Sequence, residues 1–203
     1  MTYKINEVFY SLQGEGFYTG TPAVFLRLAG CNLKCPFCDT DHHDGLEMEV
    51  DEILRLISSY PSRHLVITGG EPAMHLDAAL VDRLHDGGWY VQVETNGTLP
   101  LPGNVDWVTC SPKTDRILCG RVDEIKLLYM ADGRDGERME RFGAMPARCY
   151  SLQPCDSSAE NPHEESGAVE RRNRLVLEEC IACLKANPQW RLSLQTHKML
   201  NIR

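Results

Sequence analysis

The chain has 203 residues, enough for one domain but short of the about 250 that a complete eight-fold β/α barrel takes. Its 42% hydrophobic and 25% charged residues are ordinary globular usage, which argues against disorder or a fibrous repeat. No apolar run approaches the roughly 18 residues of a membrane span, MTYKINEVF lacks the basic-then-apolar start of a signal peptide, and a net charge of −8 has the wrong sign for binding phosphates. A single cytoplasmic domain over residues 1–203 is expected, with neither nucleic acid nor membrane as a direct partner.

Along the chain, short strands are predicted at Val24–Leu28, His64–Thr68, Trp89–Glu94, Val105–Thr109, Val122–Leu128, Arg148–Gln153 and Trp190–Gln195, several apolar enough for burial on both faces. Helices fall between some of them. Asp51 is the N-cap expected for DEILRLISSY, which Pro61 stops, and Asp77 that for DAALVDRLHD, which Gly87 and Gly88 end. Glu170–Ala186 sets Val176, Leu177, Cys180, Ile181 and Leu184 on one face before Asn187 and Pro188. Apart from the strand it contains, Glu124–Ala147 carries no decisive period, and neither does Ser157–Gly167. Strand and helix alternation predicts an α/β fold with a parallel sheet, curved or open. Small and polar residues gather at the strand exits: GCNLKCPFC, GGEP, TNGT, SPK, QPCD and QTHK. In parallel α/β folds these ends converge on one rim, so distant segments can share a site.

Nine cysteines, an odd number in a chain without an export signal, point to thiols, metal or catalysis rather than disulfides. Cys31, Cys35 and Cys38 form C-x3-C-x2-C, a loop able to wrap three thiolates round one inorganic cluster. Three ligands on a 4Fe-4S cluster leave one iron without a protein ligand. The alternative takes His42 or His43 as a fourth ligand and builds a closed Cys3His zinc site, as in a zinc-binding interaction module. A chain this apolar needs no metal to fold, and that reading leaves the polar strand exits without a use. The other six cysteines, Cys110, Cys119, Cys149, Cys155, Cys180 and Cys183, are read as core packing.

The cysteine loop, with Phe37 before its last cysteine, resembles the signature of radical S-adenosylmethionine enzymes, and Gly69-Gly70-Glu71-Pro72 resembles their second motif. That resemblance implies a 4Fe-4S cluster whose free iron is chelated by S-adenosylmethionine, with reductive cleavage to a 5'-deoxyadenosyl radical. Its motifs place Phe37, Asp39, Gly69, Gly70, Glu71, Gly97, Ser111, Lys113 and Gln153 around the cofactor. Gly69 and Gly70 admit close backbone approach, and Ser111 and Gln153 offer hydrogen bonds to ribose or adenine.

Ser11–Gly16, Arg27–Leu33, Cys38-Asp39-Thr40, Glu94–Gly97, Ser111–Lys113 and Leu194–Lys198 together resemble the 7-carboxy-7-deazaguanine synthase family over nearly the whole chain. The resemblance implies a shortened, TIM-like β/α barrel of about six to seven mostly parallel strands with few helices, paired as a homodimer. It implies a carbon–nitrogen lyase of queuosine and 7-deazapurine biosynthesis that contracts 6-carboxy-5,6,7,8-tetrahydropterin to 7-carboxy-7-deazaguanine and ammonia. Hydrogen leaves C6, the skeleton rearranges, and hydrogen returned to the product regenerates S-adenosylmethionine. Thr40 resembles a Mg2+ ligand, with Asp39 and Asp41 as competing hard donors. Leu12, Gln13, Gly14, Arg27, Thr95, His197 and Lys198 are the implied substrate contacts, Arg27 gripping the carboxylate. A flavodoxin or ferredoxin is the implied electron donor. A glycyl-radical enzyme activase shares C-x3-C-x2-C and is the nearest rival.

Overall fold

The computed structural model of the chain describes residues 1–158 and 166–203 and, for Ser166, the backbone alone. Its nine strands are β1 Thr2–Leu12, β2 Pro22–Leu28, β3 Leu46–Glu49, β4 His64–Gly69, β5 Tyr90–Thr95, β6 Trp107–Cys110, β7 Glu124–Tyr129, β8 Cys149–Pro154 and β9 Arg191–Leu192. They form one sheet in the order β3-β1-β2-β4-β5-β6-β7-β8-β9. From β2 to β9 every neighbouring pair is parallel. β1 runs antiparallel to both β2 and β3. The seven predicted strands are present within a residue or two, except the last. WRLSLQ contributes only Arg191 and Leu192, because Ser193 turns inward: its hydroxyl donates to Gln153 Oε1 (2.7 Å) and accepts from the Gly16 N–H (2.9 Å).

The structure adds two antiparallel strands to those predicted. β1 hides from a period-of-two reading because its register slips between Ile5 and Glu7: Ile5 pairs with Leu28 and Glu7 with Arg27, leaving Asn6 extra. Such a bulge flips the phase of inward and outward residues midway. Among helices, α1 (Val50–Ser58) is capped not by Asp51 but by Glu49, through a reciprocal capping box with Glu52. α2 (Ala78–Asp86) starts at Asp77, whose carboxylate accepts the Leu80 N–H at 2.9 Å, and ends at Gly87. α3 (Asp135–Gly143) occupies part of the stretch that periodicity left blank. α4 spans Ser166–Ala186 and α5 spans Thr196–Leu200. Of the unassigned segment Ser157–Gly167, residues 159–165 lie outside those described.

Strand alternation divides the sheet into two unlike faces. Leu26 and Leu28, Leu65 and Ile67, Val91 and Val93, Ile125 and Leu127, and Leu152 point one way and are fully buried or nearly so. Ile53 and Ile57 of α1 and Leu80, Val81 and Leu84 of α2 belong to the same apolar core. Each such side chain contributes about 1.5–3 kcal/mol on burial. Residues of opposite parity form the other face, which is layered along the strands. At the strand starts, His64, Tyr90 and Trp107 meet Phe17 and Tyr18 from the β1–β2 connection, with ring centroids 4.7–6.0 Å apart. The Tyr18 and Tyr90 hydroxyls are 2.7 Å apart. This aromatic plug closes one end. Above it lies a buried polar layer, and above that the strand exits.

Candidate active site

Two cavities open on the inner face towards the strand exits. One, of about 200 Å3, is lined by Cys31, Cys35 and Cys38 together with Phe37, Gly69, Gly70, Ser111, Lys113 and Gln153; Cys155, read from the sequence as core packing, also lines it. The other, of about 250 Å3, is lined by Leu12, Gln13, Gly14, Arg27 and His197. Glu15, Asp39, Thr40, Lys126 and Gln195 line both, so the cavities share one wall.

The cysteine loop is pinched at its base by the Gly30 N–H donating to the His42 carbonyl (2.7 Å), while the Gly30 carbonyl accepts the Glu71 N–H (2.9 Å). Gly70 lies so near that a Cβ there would sit 2.2 Å from the Gly30 oxygen and 2.5 Å from Cys31 Cβ. Only glycine fits. The three thiols are unbridged, and burial pushes Cys31 and Cys35 up. A cation reverses that preference, since thiolate is the form that binds metal. Among the described residues, no three His, Cys, Asp or Glu side chains are gathered closely enough to hold one ion. The Cys3His zinc arrangement is therefore not assembled. A cubane cluster binds each thiolate at a different iron, so three thiols spaced round one cavity suit it.

Three strand exits are laced together beside that loop. Glu71 is fully buried, and its carboxylate accepts from Thr95 Oγ1 (2.7 Å), the Asn96 N–H (2.6 Å) and the Ala73 N–H (3.0 Å). Burial pushes the Glu71 carboxyl up, against these donors. The Asn96 amide donates to Asn32 Oδ1 (3.0 Å), joining the TNGT turn to the cysteine loop. Gly97 has φ +81°, and a Cβ there would meet Cys110 Sγ at 2.6 Å. Glu71, Thr95 and Gly97, expected to touch ligands, thus lie outside both cavities and brace the turns that form them; buried Asn96 is the residue of that turn that lines the thiol cavity. Lys113 donates to Ser111 Oγ (2.9 Å) and lies 5.4 Å from the Phe37 ring centroid, with burial pulling its ammonium down.

The shared wall carries charges that motif reading passed over. Lys126, 5% exposed, donates to Glu15 Oε2 (2.6 Å) and Glu94 Oε2 (2.9 Å). Burial acts against every member of this triad. For Glu15 the Lys126 ammonium, with hydrogen bonds from Lys126 and Gln195, overcomes burial and holds the carboxyl down at about 2. For Glu94 burial wins, aided by the neighbouring Glu15 and Glu124 charges, and the carboxyl rises to about 7 despite Lys126. One ammonium cannot neutralise two carboxylates. Lys126 itself is held firmly protonated by both, against its burial. Glu124 below is fully buried and accepts from Ser151 Oγ (2.6 Å), Thr109 Oγ1 (3.2 Å) and the Phe17 N–H (3.0 Å). A signal existed: in VDEIKLL and WYVQVE the polar residues Glu124, Lys126, Gln92 and Glu94 alternate with apolar ones, which places them on one face.

α5 packs over the second cavity. The Thr196 N–H and Oγ1 both donate to the Gly14 carbonyl (2.9 Å each), and His197 packs against Gly14. Lys198 lines neither cavity. Its ammonium bridges Asp39 (2.6 Å) and Asp156 (2.8 Å), tying α5 across the two. Arg27 donates from Nε to Glu7 Oε1 at 2.9 Å, leaving the rest of its guanidinium fork towards the second cavity.

Three thiols on one strand exit, a glycine cradle on the next and a polar cavity beside them define a radical S-adenosylmethionine enzyme. The pattern describing the Radical SAM superfamily matches residues 26–115. A 7-carboxy-7-deazaguanine synthase of Bacteroides thetaiotaomicron is 48% identical over 204 residues, covering all of both chains. One from Burkholderia multivorans is 36% identical over 225 residues, again in full. The crystal structure of QueE from Escherichia coli matches with TM-score 0.71 and 31% identity over 96% of this chain and 94% of that one. The chain belongs to the 7-carboxy-7-deazaguanine synthase family, and its open sheet is the shortened barrel of that kind. A 4Fe-4S cluster and S-adenosylmethionine are its cofactors.

Proposed function

We propose that this chain, as one domain over residues 1–203, converts 6-carboxy-5,6,7,8-tetrahydropterin to 7-carboxy-7-deazaguanine and ammonia. The observation that carries this is the common wall: the cavity lined by the three thiols of the cysteine loop and the one lined by Arg27 share Glu15, Asp39, Thr40, Lys126 and Gln195. In this reading Cys31, Cys35 and Cys38 hold the cluster. Gly69, Gly70, Phe37, Ser111, Lys113 and Gln153 take S-adenosylmethionine, with Glu71 and Gly97 bracing them. When bound, cluster and cofactor supply one-electron cleavage of a sulfonium carbon–sulfur bond, and with it a carbon radical able to take hydrogen from the pterin.

The chain's own side chains aim that chemistry. Arg27 grips the pterin carboxylate, while Leu12, Gln13, Gly14 and His197 line the ring and Thr95 holds the turn beside it. Lys198 positions Asp39 and keeps α5 closed over the site, which excludes water from a radical reaction. Thr40, at the junction of the cavities, is the protein's ligand to a Mg2+ whose remaining positions are water and substrate oxygen. Glu94, its carboxyl pushed up to about 7 on the lining of the second cavity, is the proton source for the departing amine, and Lys126 holds it in place. A homodimer in the cytoplasm, reduced by a flavodoxin or ferredoxin, completes the reading; α5 leaves Met199 and Leu200 exposed for such a contact.

The test is anaerobic reconstitution followed by incubation with the carboxypterin and strong reductant. The expected result is ammonia and the deazapurine in equal amounts, with S-adenosylmethionine not consumed in proportion. Formation of a glycyl radical on a partner protein, without ammonia, would assign the chain to the activases instead.

A further inference from the structure

Four buried side-chain polar atoms lack a partner among the described residues: His42 Nδ1, Trp89 Nε1, Asn104 Oδ1 and Arg138 Nε. Three of them lie away from both cavities. His42 is different, because it lines the cavity of the three thiols. The residue is 9% exposed, and its backbone carbonyl takes the Gly30 N–H at the foot of the cysteine loop, so its main chain is anchored to that loop and its ring is buried beside it. An unpaired buried nitrogen loses about 1–3 kcal/mol of solvation. Such an atom calls for an explanation, and of these four only His42 Nδ1 belongs to a residue lining either cavity, where a bound group can supply a partner. A metal ion bound through the imidazole is disfavoured, since no three ligating side chains converge among the described residues.

We propose that His42 donates a hydrogen bond from Nδ1 to a sulfur of the cluster held by Cys31, Cys35 and Cys38, and thereby raises its reduction potential. The inference rests on the cysteine loop holding that cluster. Cluster sulfurs carry negative charge that grows when an electron is added, so a fixed N–H beside them favours the reduced state. Hydrogen bonding to the sulfurs is one of the levers by which a protein sets such potentials. His42 is a positioning residue for the electron. It holds no iron.

The experiment uses the full reconstituted chain and three variants, His42→Phe, His42→Asn and His42→Gln. Iron and sulfide per chain are measured first, and the cluster is then titrated by electron paramagnetic resonance at controlled potential, with and without S-adenosylmethionine. The Phe variant should hold as much iron as the parent but show about tenfold less reduced cluster at a fixed potential, about 59 mV for one electron. Asn, whose amide N–H reaches the Nδ1 position, should recover most of that loss. Gln, whose amide reaches the Nε2 position, should behave like Phe; if Phe fails to hold iron, the Asn and Gln pair decides alone. Equal potentials in Asn and Gln overturn the proposal. So does a shift seen only with S-adenosylmethionine present, which places Nδ1 on the cofactor's carboxylate. Zinc, or no iron, in the parent chain is a separate result that removes the cluster reading itself.

Discussion

Lys126→Met removes the one ammonium that two buried carboxylates share, and its consequence follows from the geometry. Glu15 and Glu94 are 18% and 16% exposed, and both lose their ion pair together. Holding Glu15 at about 2 instead of its ordinary 4.5 corresponds to about 3 kcal/mol at 1.36 kcal/mol per pH unit. Breaking one side of a buried pair removes about 3–5 kcal/mol, so the two routes agree. The pH dependence separates this cause from lost packing. In the parent chain the Glu15 carboxyl is depressed below its unfolded value, so its contribution is present above about 4.5 and fades as the pH falls towards 2. In the variant burial, the largest influence on Glu15, is opposed only by the Gln195 hydrogen bond and the His197 charge, so the carboxyl rises above the unfolded value, and its contribution is then present at low pH and lost as the pH rises through the folded value. Glu94, already pushed up to about 7, moves the same way. Urea unfolding of the metal-free chain at pH 5 and pH 8 should show a gap between parent and variant of about 3–5 kcal/mol at pH 8 that narrows markedly at pH 5. An equal gap at both values would refute the electrostatic account, leaving packing of the lysine stem as the cause.

Gly70→Ala forces a methyl against the Gly30 carbonyl and Cys31 Cβ; iron bound after reconstitution should fall well below that of the parent, as iron analysis and visible absorbance will show. Arg27→Ala removes the proposed carboxylate grip and should lower kcat/KM for the carboxypterin by about a hundredfold, or about 3 kcal/mol. Binding of a pterin without the carboxylate, followed by its fluorescence, should change little. Thr40→Val should abolish the dependence of turnover on added Mg2+, and an unchanged Mg2+ titration would remove Thr40 from the metal site.

The cofactor side was legible because its residues are local. Cys31, Cys35 and Cys38 sit within eight positions, and each further contribution is a short run at one strand exit, where a motif survives in a linear reading. Even there, motif membership did not reveal direction. Glu71 belongs to GGEP yet faces the backbone of TNGT, since a buried carboxylate goes where N–H donors are fixed and the Asn96 and Ala73 amides supply them. The substrate side spreads single positions over β1, β2, β5, β7 and α5. β1 was lost to the bulge at Asn6, and α5 is too short for a helical period to emerge.

The two faces of the sheet explain why the polar layer went unread. Several strands read as apolar enough for burial on both faces, and β4 to β8 are largely buried on both, but burial on the inner face is by other polar groups rather than by apolar packing. Glu94, Glu124 and Lys126 each sit between apolar neighbours, so hydropathy averaged along the strand hides them. Read by parity, those same residues are charges placed where no water shields them. Such groups persist in a fold only when paired, and their pairing across β5, β7 and the β1–β2 connection holds the floor of both cavities together. The lattice that fixes the loops around the thiols and the triad that separates the cavities are built from the same kind of interaction. The first binds backbone donors to one carboxylate at Glu71, and the second binds two carboxylates to one cation at Lys126. Only the second puts ionisable groups on the cavity linings, which makes the shared wall, rather than the braced turns, the charged boundary between the two cavities.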